Sequence, residues 1–322
     1  MSASHWPFLA AVLVLAGLVP PASARAEAPV LKPAIVLAAF GTTEPEALSA
    51  ILNVEKRVRA AFPDHEVRLG FTANLIRNTW QARGRDKDWL AANPGLPAEI
   101  YEVVNPLAAL ALIQDKGPRP IFVQSLHIVN GTEFENQKAV TSALDKLTAF
   151  PAAKKPFPYI SLGDSALGQA TPRDFDRAAE ALKNLVEEAK GKGAALVLFG
   201  HGNDHKDIKA YRDFNAHLAK KYAPQPIFIV LVEGQPGFDD LLATVKKAKV
   251  KKTLLAPFML VAGDHAMNDM AGEEPDSLAS LLRAEGIEVE SRLKGLGDED
   301  AWADIYVERL QAQARAYEKA AP

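Results

Sequence analysis

The chain has 322 residues, with 37 Lys and Arg against 40 Asp and Glu and a formal net charge of −3. That balance gives no electrostatic case for a nucleic-acid partner, and the length allows one or two domains with a sizeable core. There is no cysteine, which excludes a disulfide framework, a thiolate metal site and a cysteine nucleophile.

The chain starts differently from how it continues. Phe8–Val19 is an unbroken apolar run, followed by Pro20-Pro21 and then Ala24-Arg25-Ala26. The run is shorter than the about 20 residues a membrane helix needs, but it suits the apolar region of a secretory signal ending at a small-x-small site. The residues before it carry no Lys or Arg, which is unusual for such a signal. The expectation is a signal peptide over 1–26, no membrane span after its removal and a periplasmic mature protein. Losing the +1 of Arg25 takes the net charge from −3 to −4.

From Ala34 onward, apolar strands alternate with amphipathic helices. Ala34–Phe40 reads as a first strand, and Leu48, Ile51, Leu52, Val58 and Ala61 form the stripe of a helix. Glu66–Phe71 reads as a second strand, followed by a helix holding Leu75, Ile76, Arg77 and Trp80. The pattern predicts a largely helical stretch over Pro97–Asp115, a third strand over Arg119–His127 and a short fourth over Pro158–Gly163. Thr171-Pro172-Arg173-Asp174 starts a new helix, with an N-cap residue, a proline at the first position and an acid at the third. Four more strands follow at Ala194–Phe199, Pro226–Val232, Lys252–Leu260 and Ile287–Leu293, and a long helix runs from about Glu299 to Tyr317.

This order predicts an α/β protein of two Rossmann-like halves, each with a parallel four-stranded sheet, over residues 27–170 and 171–322. The halves resemble each other. Aligning Ile121–Glu133 with Thr253–His265 sets Gly131 on Gly263 and Glu133 on His265, and Phe40-Gly41-Thr42 matches Phe199-Gly200-His201. Two such halves would share one cleft lined by strand ends.

Three strands of the second half end on side chains that bind metals or move protons: His201, Glu233 and His265. Imidazole and carboxylate hold a divalent ion such as Co²⁺, Fe²⁺ or Ni²⁺ less tightly than thiolates and leave positions open. Ligating imidazoles must be unprotonated, so metal binding should fall below about pH 6. Gly295-Leu296-Gly297-Asp298-Glu299-Asp300 lacks the last glycine of a dinucleotide fingerprint and no phosphate-binding Gly-x-x-x-x-Gly-Lys loop occurs, so no nucleotide is expected.

The blocks Ser125–Gly131, Phe199–Gly202, Val232–Gly234 and Met259–Met270 resemble the anaerobic cobalt chelatases of cobalamin biosynthesis, the sirohydrochlorin cobaltochelatases of CbiK type. Phe71-Thr72 with Arg77, and Gly295–Gly297, belong to the same likeness, which runs from about Ala34 to the last helix. It implies the class II chelatase fold and insertion of Co²⁺ into the tetrapyrrole sirohydrochlorin without ATP. By this resemblance His201 and His265 are the active-site histidines, Glu233 is the second-half carboxylate and third metal ligand, and Glu133 is the acidic group across the cleft. Glu135 is close enough in sequence to compete for the role of Glu133. The signal peptide departs from the pattern, because cobalamin synthesis is normally cytoplasmic. A carboxylate-rich macrocycle suits a basic rim, with Arg77, Lys206 and Arg212 as candidates, and an apolar floor from Leu126, Phe258, Met259 and Met267. His127 is read as either a substrate contact or a hydrogen-bonded core residue, and His205 as a group beside the site or an exposed one. Two other readings remain: an exported haem or metal carrier using the same cleft, and a ferrochelatase using Fe²⁺. The sequence leaves assembly into a homo-oligomer open.

Overall fold

The computed structural model describes residues 31–151, 154–202 and 209–320. Residues 1–26, read from the sequence as a signal peptide, and His205 and Lys206 lie outside the described residues. Eight strands form two four-stranded sheets, every pairing parallel. The first holds β1 (Ala34–Ala39), β2 (Glu66–Phe71), β3 (Ile121–Ser125) and β4 (Ile160–Gly163) in the order β2-β1-β3-β4. The second holds β5 (Ala195–Gly202), β6 (Ile227–Glu233), β7 (Lys252–Pro257) and β8 (Glu288–Ser291) in the order β6-β5-β7-β8. The same order twice is the internal repeat in three dimensions.

Burial explains why these segments are strands. Every residue of β1 and β3 is buried, as are Ala195–Gly200 of β5, because an inner parallel strand is covered on both faces and reads as a continuous apolar run. The edge strand β8 has no buried residue. The chain crosses from one side of β1 to the other between β2 and β3, and repeats this at β5. The crevices at these switch points therefore open at the carboxyl ends of β1 and β3 and of β5 and β7.

The helices are α1 (Leu48–Ala61), α2 (Asn74–Arg83), α3 (Lys87–Ala92), α4 (Pro106–Gln114), α5 (Thr132–Asp145), α6 (Pro172–Ala181), α7 (Lys183–Gly191), α8 (Lys209–Lys221), α9 (Phe238–Lys247), α10 (Leu278–Ala284) and α11 (Asp300–Ala320). The expected capping box at Thr171 forms, with the hydroxyl accepting from Asp174 N and the Asp174 carboxylate accepting from Thr171 N. The stretch expected to be helical from Pro97 to Asp115 is interrupted. A short 3-10 turn covers Ala98–Glu102, Val104 then bridges to Gly70 as an extended residue, and Asn105 caps α4. Pro106 at the first helical position keeps Asn105 out of helical geometry.

Two strands stop earlier than their apolar runs. β7 ends at Pro257 because the carbonyls of Met259 and Leu260 accept from Leu296 N and Gly297 N, both at 2.9 Å, so this backbone pairs with a distant turn rather than with a strand. β3 ends at Ser125, and the His127 carbonyl accepts from Ala166 N at 2.9 Å.

Helix α11 follows the second sheet in sequence and packs on the first. Tyr306 Oη donates to Leu126 O at 3.1 Å, Arg57 of α1 makes a two-pronged contact with Asp304 at 2.7 Å, and Gln313 accepts from Ser161 Oγ at 2.6 Å. One apolar core runs under both sheets, joining Leu37 and Phe71 to Leu198, Phe258 and Trp302. The opposite faces carry separate clusters, Val36 with Leu110 and Ile113 on the first sheet and Val197 with Leu241 and Leu282 on the second.

Candidate metal centre

Sheet order brings the three strand-end groups together. β5 lies between β6 and β7, so His201 is flanked by the end of β6, which carries Glu233, and by the chain leaving β7 towards His265. Gly202 is the register partner of Glu233 and has φ +81°, and a Cβ there would lie 1.7 Å from the Glu233 carbonyl oxygen. Only glycine allows the two strand ends to approach this closely while the chain turns away after His201.

The rings of His201 and His265 lie edge to face, with centroids 5.0 Å apart. His201 Nδ1 is 3.2 Å from the Gly202 carbonyl and 3.8 Å from Glu233 Oε2. His265 Nδ1 is 2.6 Å from Asp269 Oδ2. A carbonyl and a carboxylate can only accept, so these contacts put the ring proton on Nδ1 and leave the lone pair on Nε2 of each imidazole. The side chains of His201, Glu233, His265 and Asp269 are between 37% and 43% exposed, which leaves them open to a solute. Among the described residues no three His, Asp or Glu side chains are gathered into a ready-made cage. The arrangement is a pair of imidazoles with a carboxylate beside one of them, open towards solvent.

The first half supplies a neighbouring wall. The hydroxyl of Thr42, just after β1, lies 3.3 Å from where a Cβ of Gly263 would be, so the loops after β1 and β7 meet. Trp80 Nε1 donates to Thr42 O at 2.7 Å, and the Arg83 guanidinium donates to Thr43 O, which fixes the β1 loop. That loop begins with Phe40, 50% exposed at the carboxyl end of β1, and Leu75 and Met267 are also exposed just after β2 and β7. Glu133 is half-buried in the first turn of α5, and Glu135 is exposed and faces Lys138 at 3.6 Å.

Three expected substrate contacts are corrected. Phe258 is fully buried, with its ring stacked on Phe214 at 5.6 Å and edge-on to Trp302 at 5.7 Å, so it supports the site from within the core and cannot be its floor. Arg77 is buried and its guanidinium donates to the carbonyls of Phe71 and Thr72 and to Asn74, so it ties down the end of β2 and not a rim; burial lowers its pKa. His127 is largely interior, with Nδ1 2.9 Å from Ser125 Oγ, Nε2 buried without a partner among the described residues, and its pKa pushed down to about 4 by burial. Met259 is half-buried against the cluster on the outer face of the second sheet, and Arg212 is exposed on α8. Two further residues stand out. Asp269 lies in the block Met259–Met270, four residues after His265, and has no role assigned from the sequence. Phe40 read as the last residue of a strand, although the Gly41-Thr42 after it already marks the turn into the crevice.

Comparison with known proteins agrees with this architecture. Residues 33–315 match the family described as cobalt chelatase (CbiK). The chain is 30% identical over 294 residues to the sirohydrochlorin cobaltochelatase of Salmonella typhimurium, covering 90% of this chain and 100% of that protein. It is 29% identical over 288 residues to sirohydrochlorin cobaltochelatase CbiKC of Nitratidesulfovibrio vulgaris, covering 89% of this chain and 93% of the relative. The same fold occurs in SirB from Bacillus subtilis with Fe³⁺, at a TM-score of 0.55 and 14% identity over 89% of this chain and 98% of SirB. It occurs also in the cobalt complex of SirB from Bacillus subtilis subspecies spizizenii, at a TM-score of 0.54 and 14% identity over 89% of this chain and 97% of that one. With a family match over nearly its whole described length and the expected two-sheet architecture, the chain belongs to the cobalt chelatase family.

Proposed function

We propose that this protein is a sirohydrochlorin cobaltochelatase that inserts Co²⁺ into sirohydrochlorin without a nucleotide. The observation that carries the reading is the half-exposed imidazole pair, ring centroids 5.0 Å apart, at the end of β5 and at the turn after β7, with Glu233 3.8 Å from one ring. Insertion replaces two pyrrole N–H protons by one divalent ion, so two protons must leave as the metal enters. An ion held by Nε2 of His201 and His265, with Glu233 as the third ligand, keeps positions open for the incoming ring nitrogens. With Nδ1 protonated and Nε2 on the ion, each imidazole accepts a proton only as the ion passes to the ring and frees Nε2, so Glu133 across the cleft serves as the acceptor before that. Phe40, Leu75 and Met267 at the strand ends suit the flat apolar body of a macrocycle. The same donor set admits Fe²⁺ or Ni²⁺, and both are expected to compete for the site in vitro.

The test is anaerobic absorbance of sirohydrochlorin with Co²⁺ and catalytic amounts of protein. Conversion of many equivalents of ring above the uncatalysed rate is the expected result. Binding of ring and metal without conversion would instead mark a carrier.

The exported location rests on Phe8–Val19 and Ala24-Arg25-Ala26. In a bacterial host the mature protein is expected in the periplasmic fraction with Glu27 as its first residue, and amino-terminal sequencing reads this directly. A full-length cytosolic protein beginning at Met1 would overturn it.

A further inference from the structure

His265 stands immediately before a widened turn, at its N-cap. Ala266–Met270 forms a single π turn, closed by Ala271 N donating to Ala266 O at 3.2 Å. π turns are rare and concentrate at functional sites. This one is anchored from below, because Ala266 and Met270 are fully buried in the apolar cluster of the second sheet. It is also closed at its exit, because a Cβ at Gly272 would lie 2.4 Å from the Asn268 carbonyl oxygen. Two side-chain pairs four residues apart run along its open face: Asn268 Nδ2 donates to Asp264 Oδ1 at 2.8 Å, and His265 Nδ1 faces Asp269 Oδ2 at 2.6 Å.

We infer that Asp269 is the positioning residue for His265: its carboxylate holds the imidazole proton on Nδ1 and turns Nε2 towards the metal position beside His201. This rests on the reading of His265 as a metal ligand. A carboxylate accepts and never donates, so it selects one tautomer, whereas a water in its place both donates and accepts and would serve either tautomer. The buried anchors fix the turn, so Asp269 fixes the ring plane as well as the proton. His201 obtains the same tautomer from a backbone carbonyl, which no substitution removes, so the side-chain route at His265 is the one a mutation can open.

The experiment is calorimetric titration of the mature, ring-free protein with Co²⁺, comparing wild type with Asp269→Ala, Asp269→Asn and His265→Ala, beside fluorescence-monitored binding of metal-free sirohydrochlorin. Asp269→Ala is expected to weaken Co²⁺ binding about 10- to 100-fold, the usual effect of losing the partner of a ligating histidine. Asp269→Asn, which keeps an accepting oxygen, should fall between it and wild type, and ring affinity should stay within about twofold in both, below the change expected for the metal. The inference is overturned if His265→Ala loses Co²⁺ while Asp269→Ala binds it as wild type does, or if both Asp269 variants lose ring and metal affinity in parallel with melting temperature, since either result reduces Asp269 to a structural role. If His265→Ala itself binds Co²⁺ with wild-type affinity, the ligand reading fails instead, and the two failures are thereby told apart.

Discussion

His127, His201 and His265 all follow apolar strands, and their surroundings separate them. His201 and His265 stand at the crevice mouth about four-tenths exposed, whereas His127 turns its Nε2 into the protein. Burial favours the neutral ring of His127 and holds its pKa at about 4, below the ordinary value of 6.5. The unfolded chain therefore binds a proton at this site before the folded one does. The stability this group contributes is complete above about pH 6.5 and is lost as pH falls towards 4. By pH 4.5 the loss should reach about 2–3 kcal/mol, and it should vanish in His127→Gln. Urea unfolding of both proteins at pH 7 and pH 4.5 measures it; equal acid losses in the two would contradict the assignment. The histidines were legible as strand-end groups because each follows an apolar run. Which of them faces solvent was not, since that depends on how the loops pack. Phe258 was misread for the same reason: one apolar residue before Met259 gives no sign of which side the chain will turn to the core. Asp269 was hidden by its setting, because a four-residue spacing from His265 has meaning only once the intervening turn is known to be helical.

At the scale of elements, inner parallel strands announce themselves, and β1, β3 and β5 lie where their apolar runs are. Strand ends were harder. The run through Leu260 looks like strand, but its carbonyls serve Leu296 and Gly297, partners that only the fold brings close. The place of α11 was equally hidden, because an amphipathic stripe states that a helix has a buried face and not what buries it. Its hold on the first sheet is testable at Tyr306, whose hydroxyl is buried and donates to the Leu126 carbonyl at the end of β3. Tyr306→Phe keeps the ring and leaves that carbonyl short of a donor, so it should cost about 1–3 kcal/mol. Chemical denaturation measures the change, and stability equal to wild type would mean that this hydrogen bond adds nothing to the hold of α11 on the first sheet.

Over the whole molecule, the repeat of a four-stranded unit explains both the core and the site. Each sheet opens a crevice at its switch point, and the loops after β1 and β7 touch at Thr42 and Gly263, so groups from both halves come to one place. The second half supplies the imidazoles. The first supplies Phe40 and a loop braced by Trp80 and Arg83. No described helix is long and apolar enough to cross a membrane.

In the proposed function, the paired imidazoles of His201 and His265 carry metal insertion. The most direct measurement is steady-state turnover of sirohydrochlorin with Co²⁺ by wild type, His201→Ala and His265→Ala, beside ring binding by each. Loss of turnover on the order of 100-fold or more in both variants, with ring affinity retained, is the predicted result. Turnover within about threefold of wild type in either variant would contradict the claim, because an interaction made in the rate-determining step cannot be removed at so little cost.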